Sequence, residues 1–379
     1  MKSHYKKLGS FIREVVEKNS DLNVTKLLGV SITKKFIPSI ANTVGTDMSN
    51  YKVVRKGQFA YGPVTSRNGD KISIALLEDD ECIVSTSYTV FEIIDVNLLD
   101  PNYLMMWFKR SEFDRYARFK SHGSVREIFD WNELCDCYVP IPAIEVQKSI
   151  AEKYKDIVRR ININKKISLN LEKFIVNYFD EIFSSYLECE DDEKVENLEK
   201  YIEFNPSESI KKGEVVSYVE MADLQQNSMN ISGIIQRPFS SGSKFKNGDT
   251  LLARITPCME NGKAAFVNCL KPNEIAFGST EFIVMRATSY GSPYFNYCLV
   301  RNNKFRSYAI SSMSGSDGRQ RVQHDYLKQY PIKALQPEDL ANFNHLAEPI
   351  FKHIENVLNE NQELGKLAAM MLSRLAIIE

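Results

Sequence analysis

The chain repeats itself once, at a spacing close to half its length, and this limits the folds open to it more than any other feature. Lys56-Gly57-Gln58 is echoed by Asn247-Gly248-Asp249, and Asn68-Gly69-Asp70-Lys71 by Asn261-Gly262-Lys263. The strand-like run Ile83 to Val90 is echoed by Ile275 to Phe282, Gly123-Ser124 by Gly315-Ser316, and Tyr138 by Tyr330. Five matches in order share an offset of 191 or 192 residues. With 379 residues, each copy is long enough for a core of its own.

Each copy ends in a segment with helical periodicity. No proline or glycine occurs from Glu145 to Leu187. Ile150, Tyr154, Ile157 and Ile161 alternate steps of four and three, and Leu171, Ile175 and Tyr178 resume the pattern. The C-terminal segment carries a similar stripe in Ile350, Ile354, Val357, Leu364, Met371 and Leu375. This alternation is a coiled-coil seam, interrupted once in each helix by Asn164 and Asn361. About 40 residues of helix make a rod of roughly 60 Å, too long for a compact core, so the two are expected to pair. The seam residues are the candidate interface positions. Phe174, Phe179, Phe183 and Phe351 beside them are expected to face partner subunits.

Short β-branched runs separated by Asn-Gly and Gly-Pro turns fill the rest of each copy, with a shorter helix near Pro101–Lys120 and near Pro293–Ser307. The expected fold class is α+β, with two repeated α/β domains separated by two long antiparallel coiled-coil helices. The expected plan is a first domain at 1–144, a long helix at 145–187, an acidic linker at 188–203, a second domain at 204–337 and a second long helix at 338–379.

Net charge is −1, but it is unevenly spread. Residues 204–337 carry 16 Lys and Arg against 10 Asp and Glu, whereas 188–203 carry 2 against 8 and 338–379 carry 3 against 7. That distribution permits nucleic-acid binding and leaves part of the phosphate neutralisation to another chain. No apolar run reaches the roughly 18–20 residues of a bilayer span, and the basic start Met1 to Lys7 lacks the apolar stretch of a secretory signal. Seven cysteines without C-x-x-C spacing suit free thiols in a reducing cytosol.

Catalytic motifs are hard to find. Gly242 to Asp249 lacks the lysine and hydroxyl of a phosphate loop, and no G-x-G-x-x-G turn is present. Phe204-Asn205-Pro206-Ser207 lacks the second proline and aromatic of an amino-methyltransferase motif, so a turn suffices. His4, His122, His324, His345 and His353 show no metal-ligand spacing.

Polar turns with base-reading side chains are present instead. In the first copy the candidates are Tyr61, Ser66, Arg67, Asn68, Lys71, His122 and Arg126; in the second, Arg254, Lys263, Arg319, Gln320, Arg321 and Gln323. Arginine offers two parallel donors to guanine, and glutamine or asparagine offers a donor and an acceptor to adenine.

These features together resemble the specificity subunits of type I restriction–modification systems. Val139-Pro140-Ile141-Pro142 with Glu145-Val146-Gln147 and Ile150-Ala151 is similar to the family's start of the first conserved helix, and Gly278 to Phe282 with Gly315-Ser316, Arg319 and Arg321-Val322 to turns of its recognition domains. In the second copy Gln336-Pro337-Glu338-Asp339 stands in place of the Glu-x-Gln start. The resemblance implies a non-catalytic, cytoplasmic, prokaryotic protein that reads one half of a bipartite double-stranded DNA site with each domain. It implies two modification subunits carrying S-adenosylmethionine and restriction subunits using ATP and Mg²⁺, with no cofactor in this chain. A self-sufficient methyltransferase or nuclease, and a scaffold that does not touch DNA, are the alternatives.

Overall fold

The computed structural model describes residues 5–39, 45–66, 68–122, 127–188, 195–316 and 318–377. The chain divides into two units: residues 1–161 with 363–379, and residues 162–362. Each unit therefore holds one globule and a stretch of both long helices.

In the first unit a four-stranded antiparallel sheet runs in the order Ile12–Val15, Thr89–Ile93, Phe59–Tyr61, Ile74–Leu76. Its inner face carries Phe59 stacked on Phe91 at 4.9 Å, and Phe108 meets Phe59 edge-on. Lys52–Arg55 pairs with Glu81–Val84, and Leu28–Val30 with Phe36–Pro38. The strand Tyr5–Lys7 pairs with Tyr138–Pro140, which leads into the first long helix.

The second unit repeats this order with Ile202–Phe204, Phe282–Ala287, Thr250–Ala253 and Ala264–Phe266. Val195–Asn197 pairs with Pro331–Lys333, as the corresponding strands do in the first unit. A second sheet, in the order Ile235–Pro238, Val215–Val219, Ala276–Gly278, Ser243–Phe245, contains one parallel pair. The duplication reaches single residues: Gly57 and Gly248 turn the chain toward the third strand of each main sheet at φ +87° and +91°, where a Cβ would be strained.

Two local expectations are corrected. The strand-like run Ile83 to Val90 falls in two strands, Glu81–Val84 and Thr89–Ile93, because Ser85 to Tyr88 close a turn in which Tyr88 N–H donates to the Ser85 carbonyl. Each short helix is also a pair of helices, Pro101–Phe108 with Ser111–Lys120 and Pro293–Arg301 with Asn303–Ser311. Asn302 makes the second break by capping, its side chain accepting from Lys304 and Phe305 N–H.

The long helices run Ile144–Phe183 and Pro337–Arg374. Gln147 explains the Glu-x-Gln start of the first. Fully buried, it accepts from Asp100 N–H and donates to the Leu98 and Pro142 carbonyls, so one side chain seats the first turn. The second helix starts differently, with Pro337 in its first turn followed by Glu338 and Asp339, residues suited to a helix N-terminus.

Antiparallel pairing is visible inside each unit. In the first, Ala151 shares a core with Leu375, with Ile150, Tyr154 and Leu372 packed against it. In the second, Tyr178 stacks near Phe343 at 6.2 Å, and Asn164 Nδ2 donates to Asn361 Oδ1 and Glu360 Oε2, both at 3.0 Å. Ile157, Ile161, Leu364 and Met371 are half-buried. Asn164 is 1% exposed, so Asn164→Ala should strand its partners and cost about 1–3 kcal/mol. A lower urea midpoint with unchanged slope is the expected result; an unchanged midpoint would show that water already serves Asn361.

The interface expectation for the seam is overturned at its buried positions. Ile175 and Ile354 are fully buried in the core of the second unit, where Leu171 and Ile350 pack against them, and Val357 is buried too. Leu375 is buried in the first unit. Phe179, Phe183 and Phe351 are core residues of the second unit as well; Phe183 meets Phe295 at 5.1 Å and Phe343 at 5.4 Å. Of the four phenylalanines only Phe174 is exposed. The helices are apolar there because they complete a globule.

Candidate nucleic-acid interface

In the second unit, backbone bonds draw two distant loops together. Ser314 and Arg321 exchange N–H to carbonyl bonds at 2.9 and 3.2 Å, closing a hairpin. That hairpin lies against the end of the strand Thr250–Ala253: Val322 N–H donates to the Arg254 carbonyl at 2.8 Å, and Thr256 N–H to the Gln320 carbonyl at 3.0 Å. Arg254, Arg319, Gln320 and Arg321 thus become neighbours although some 60 residues separate them in sequence.

The first unit contains the same construction. His122 and Ile128 exchange backbone bonds at 2.9 and 3.1 Å, Phe129 N–H donates to the Pro63 carbonyl at 2.9 Å, and Thr65 N–H to the Glu127 carbonyl at 2.9 Å. Both candidate loops of each copy therefore share one corner of its globule, with different side chains on equivalent backbones.

The individual candidate residues differ in their surroundings. Ser66, Lys71, His122, Arg319 and Gln323 are exposed at these turns, and Gln320 is half-buried. Asn68 and Gln323 also brace the backbone: Asn68 Nδ2 donates to the Val64 carbonyl at 3.2 Å and Gln323 Nε2 to Ser314 Oγ at 2.9 Å. Arg67 and Arg126 lie outside the described residues. Tyr61 is a correction, since it is wholly buried against Phe91 and Phe129 and cannot reach a DNA groove. It is the last residue of a strand, and strand alternation there points its ring into the core.

Arg321 is already engaged. Its Nε and Nη2 grip the Glu281 carboxylate at 2.7–3.0 Å, and this guanidinium holds the Glu281 carboxyl below the usual range. Glu281 sits in the Gly278-Ser279-Thr280-Glu281 turn, and its carbonyl accepts from Arg254 N–H. Arg254 lines a polar recess of about 260 Å³ with Lys244, Thr280 and Ser207, and its Nε is buried without a partner among the described residues. By contrast, Arg286 is unavailable to DNA: Asp249 and Glu208 bracket it at 2.6–2.7 Å and push its pKa up.

Lys263 lies apart from this cluster. Its ammonium donates to the Met221 carbonyl at 3.0 Å, and it borders a depression of about 450 Å³ with Gln225, Gln226, Asn227 and Ser228. Those four polar residues were missed by motif reasoning, although four polar side chains in succession were the available signal. Arg301 holds the backbone of this loop through the Gln226 and Ser228 carbonyls. Glu172 of the first long helix accepts from Met229 N–H at 2.8 Å and from the Tyr297 hydroxyl. Burial pushes the Glu172 carboxyl up, against the pull of those bonds and of Arg301.

Among the described residues no cluster of metal-ligating side chains occurs, and no helix is long and apolar enough to cross a membrane. Cys82, Cys135, Cys137, Cys258, Cys269 and Cys298 are free thiols.

The two-copy α+β fold with paired long helices has a counterpart among solved structures. The S subunit of the type I restriction–modification system of M. genitalium has this fold, with a TM-score of 0.60 at 12% identity over 98% of this chain and 95% of that one. Residues 30–173 match the family described as the type I restriction modification DNA specificity domain. The specificity subunits of the type I restriction enzymes EcoEI and EcoAI of Escherichia coli are 38% identical over 90 residues and 40% over 92, each match being 23% of this chain. The chain spans about 15% of the length of those two relatives. Residues 30–173 are thus similar to a type I restriction–modification DNA specificity domain, in line with the resemblance read in the sequence.

Proposed function

We propose that the chain is the DNA-reading subunit of a type I restriction–modification complex, each globule recognising one half of an asymmetric, bipartite double-stranded site. One observation carries this reading: the same hydrogen-bonded loop corner occurs in both copies and displays different side chains in each. Equivalent backbones would dock on DNA in equivalent ways, while Ser66 and His122 in one copy and Gln320 and Arg321 in the other would select different bases.

The chain itself supplies recognition, and the chemistry belongs to partners: two modification subunits bringing S-adenosylmethionine, and restriction subunits bringing ATP and Mg²⁺, in a prokaryotic cytoplasm. Two features support assembly. The charge of the whole chain is too close to zero for strong DNA binding alone. Ile163, Ile167 and Phe174 of the first long helix are also 38–51% exposed, at spacings that share a helix face.

Co-expression with the partner methyltransferase, followed by single-molecule mapping of modified adenines, tests the proposal. A two-part motif with a non-specific spacer is expected. Swapping residues 204–337 for those of another specificity subunit should change one half of the motif only. A continuous motif, or no modification from a well-folded complex, would remove the reading. Binding of S-adenosylmethionine by the purified chain alone would favour a self-sufficient methyltransferase instead.

A further inference from the structure

A cavity in the second unit lies away from the recognition loops, along the second long helix. It measures about 480 Å³, within the range of small-ligand clefts, and is open to solvent. Tyr294 is the part-exposed ring of its wall, backed by the buried Phe266 and Phe351, with Phe351 at 4.8 Å from each of the other two rings. Its rim comes from one face of the helix, at His345, Glu348, Lys352 and Glu355.

The polar groups around this aromatic wall are mainly acceptors. Lys352 rests on Glu355 at 3.2 Å, but Glu348 has no ion-pair partner among the described residues. Pro349 lies inside the helix and has no N–H, so the His345 carbonyl lacks its usual helical donor. Tyr294 feels both carboxylates: after burial, their charges are what raise its hydroxyl pKa. One orphan donor completes the set, since Asn268 Nδ2 is buried with no acceptor among the described residues.

An apolar guest would leave Glu348 and the free carbonyl unsatisfied, and an acidic guest would be repelled. A guanidinium meets every demand at once. It has five donors and no acceptor, stacks on aromatic faces, and pairs with a carboxylate through two parallel bonds. The backbone carrying it can present a carbonyl to Asn268.

We propose that this groove is a docking pocket for one arginine side chain of a protein partner, held between the Tyr294 ring, backed by Phe266 and Phe351, and the Glu348 carboxylate. The partner is taken to be the modification subunit, and that assignment rests on the function proposed above; the pocket's chemistry does not. It gives assembly a charge-dependent anchor in the second unit, separate from the apolar stripe of the first long helix.

Two measurements separate the pocket from its occupant. In the full chain carrying carbon-13-labelled tyrosine and phenylalanine rings, N-acetyl-arginine amide should shift the ring resonances with half-saturation at about 1–10 mM. The uncharged isostere N-acetyl-citrulline amide should not, and Glu348→Gln should abolish the response. Equal responses to both amides, or none to either, overturn the pocket whatever the chain's function. In the co-expressed complex, Glu348→Lys should weaken capture of the modification subunit at least about tenfold, with the melting temperature of the free chain unchanged. Glu363→Lys, an exposed exchange on the same helix outside the groove, should leave capture intact. Undiminished capture in Glu348→Lys overturns the partner assignment. So would a dimer of the chain alone that this exchange dissolves, since a second copy would then own the groove. Neither result bears on DNA reading, which the methylation map tests by itself.

Discussion

Lengthening both long helices by four residues, after Ile161 and after Gln362, is expected to leave both half-sites unchanged and to widen the spacer between them by one or two base pairs. Those positions are where one unit ends and the other begins along each helix, so neither core is cut. Four residues add roughly 6 Å of helix, against about 3.4 Å per base pair of DNA. They are also close to one helical turn, so each seam is rotated by only about 40°. Each added base pair swings the second half-site by roughly 35°, which the complex must absorb. Duplicating a segment of one helix alone should fail instead. Both units are built on stretches of both helices, so a one-sided insertion puts the two strands of the pair out of register. Placed at Asn170 to Lys173, it would also displace the buried Glu172 from Met229 and Tyr297. Adenine mapping of the matched double insertion reads the outcome. An unchanged spacer in an active complex would mean that the helices do not measure the distance between half-sites.

Replacing Arg321 by alanine is expected to weaken specific DNA binding by about 1–3 kcal/mol, roughly 5- to 150-fold, and to relax one position of the half-site read by the second unit. The structure adds a condition that motif reasoning could not supply. Glu281 holds the guanidinium in a two-oxygen grip, so a base must either share Arg321 or displace Glu281. Removing Arg321 also leaves that carboxylate unneutralised beside incoming phosphates. Companion exchanges separate these effects. Arg321→Lys keeps the charge and loses the fork, so it should lose selectivity while retaining most affinity. Glu281→Gln frees the fork and should preserve binding. If Arg321→Ala weakens all sequences alike and lowers the salt slope by about one, Arg321 is a phosphate contact rather than a base reader. Relaxation in the other half-site would break the assignment of one half-site to each unit.

The parts of this molecule legible in its sequence are those encoded by local pattern. Apolar residues at steps of four and three dictate a helix with an apolar stripe, and both long helices follow it, the first free of proline and the second in spite of Pro349. Repeated turn residues at one offset signal two copies of one globule, and Gly57 and Gly248 do adopt the same left-handed turn. Polar turns rich in arginine, glutamine and hydroxyls lie where the sequence put them, on exposed loops, because exposed turns carry few packing demands. The same reasoning misplaced Tyr61. Its position next to a Gly-Pro turn looked exposed, but it is still the last inward-facing residue of a strand.

By itself, then, the sequence determined that there are two copies, that each continues into a long amphipathic helix, and which turns could carry base-reading chemistry. The tertiary structure decided what covers each apolar face and which charges remain free. Periodicity specifies that a side of a helix must be buried, but not by what. Phe179, Phe183 and Phe351 could have served a partner subunit until Phe295 and Phe343, more than 100 and 150 residues beyond Phe179, were seen to close over the first two. Arg254, Glu281 and Arg321 likewise become one cluster only through strand register and a hairpin closed by backbone bonds. Such long-range pairings depend on how the whole chain satisfies its backbone groups at once, and no local window of residues records the result.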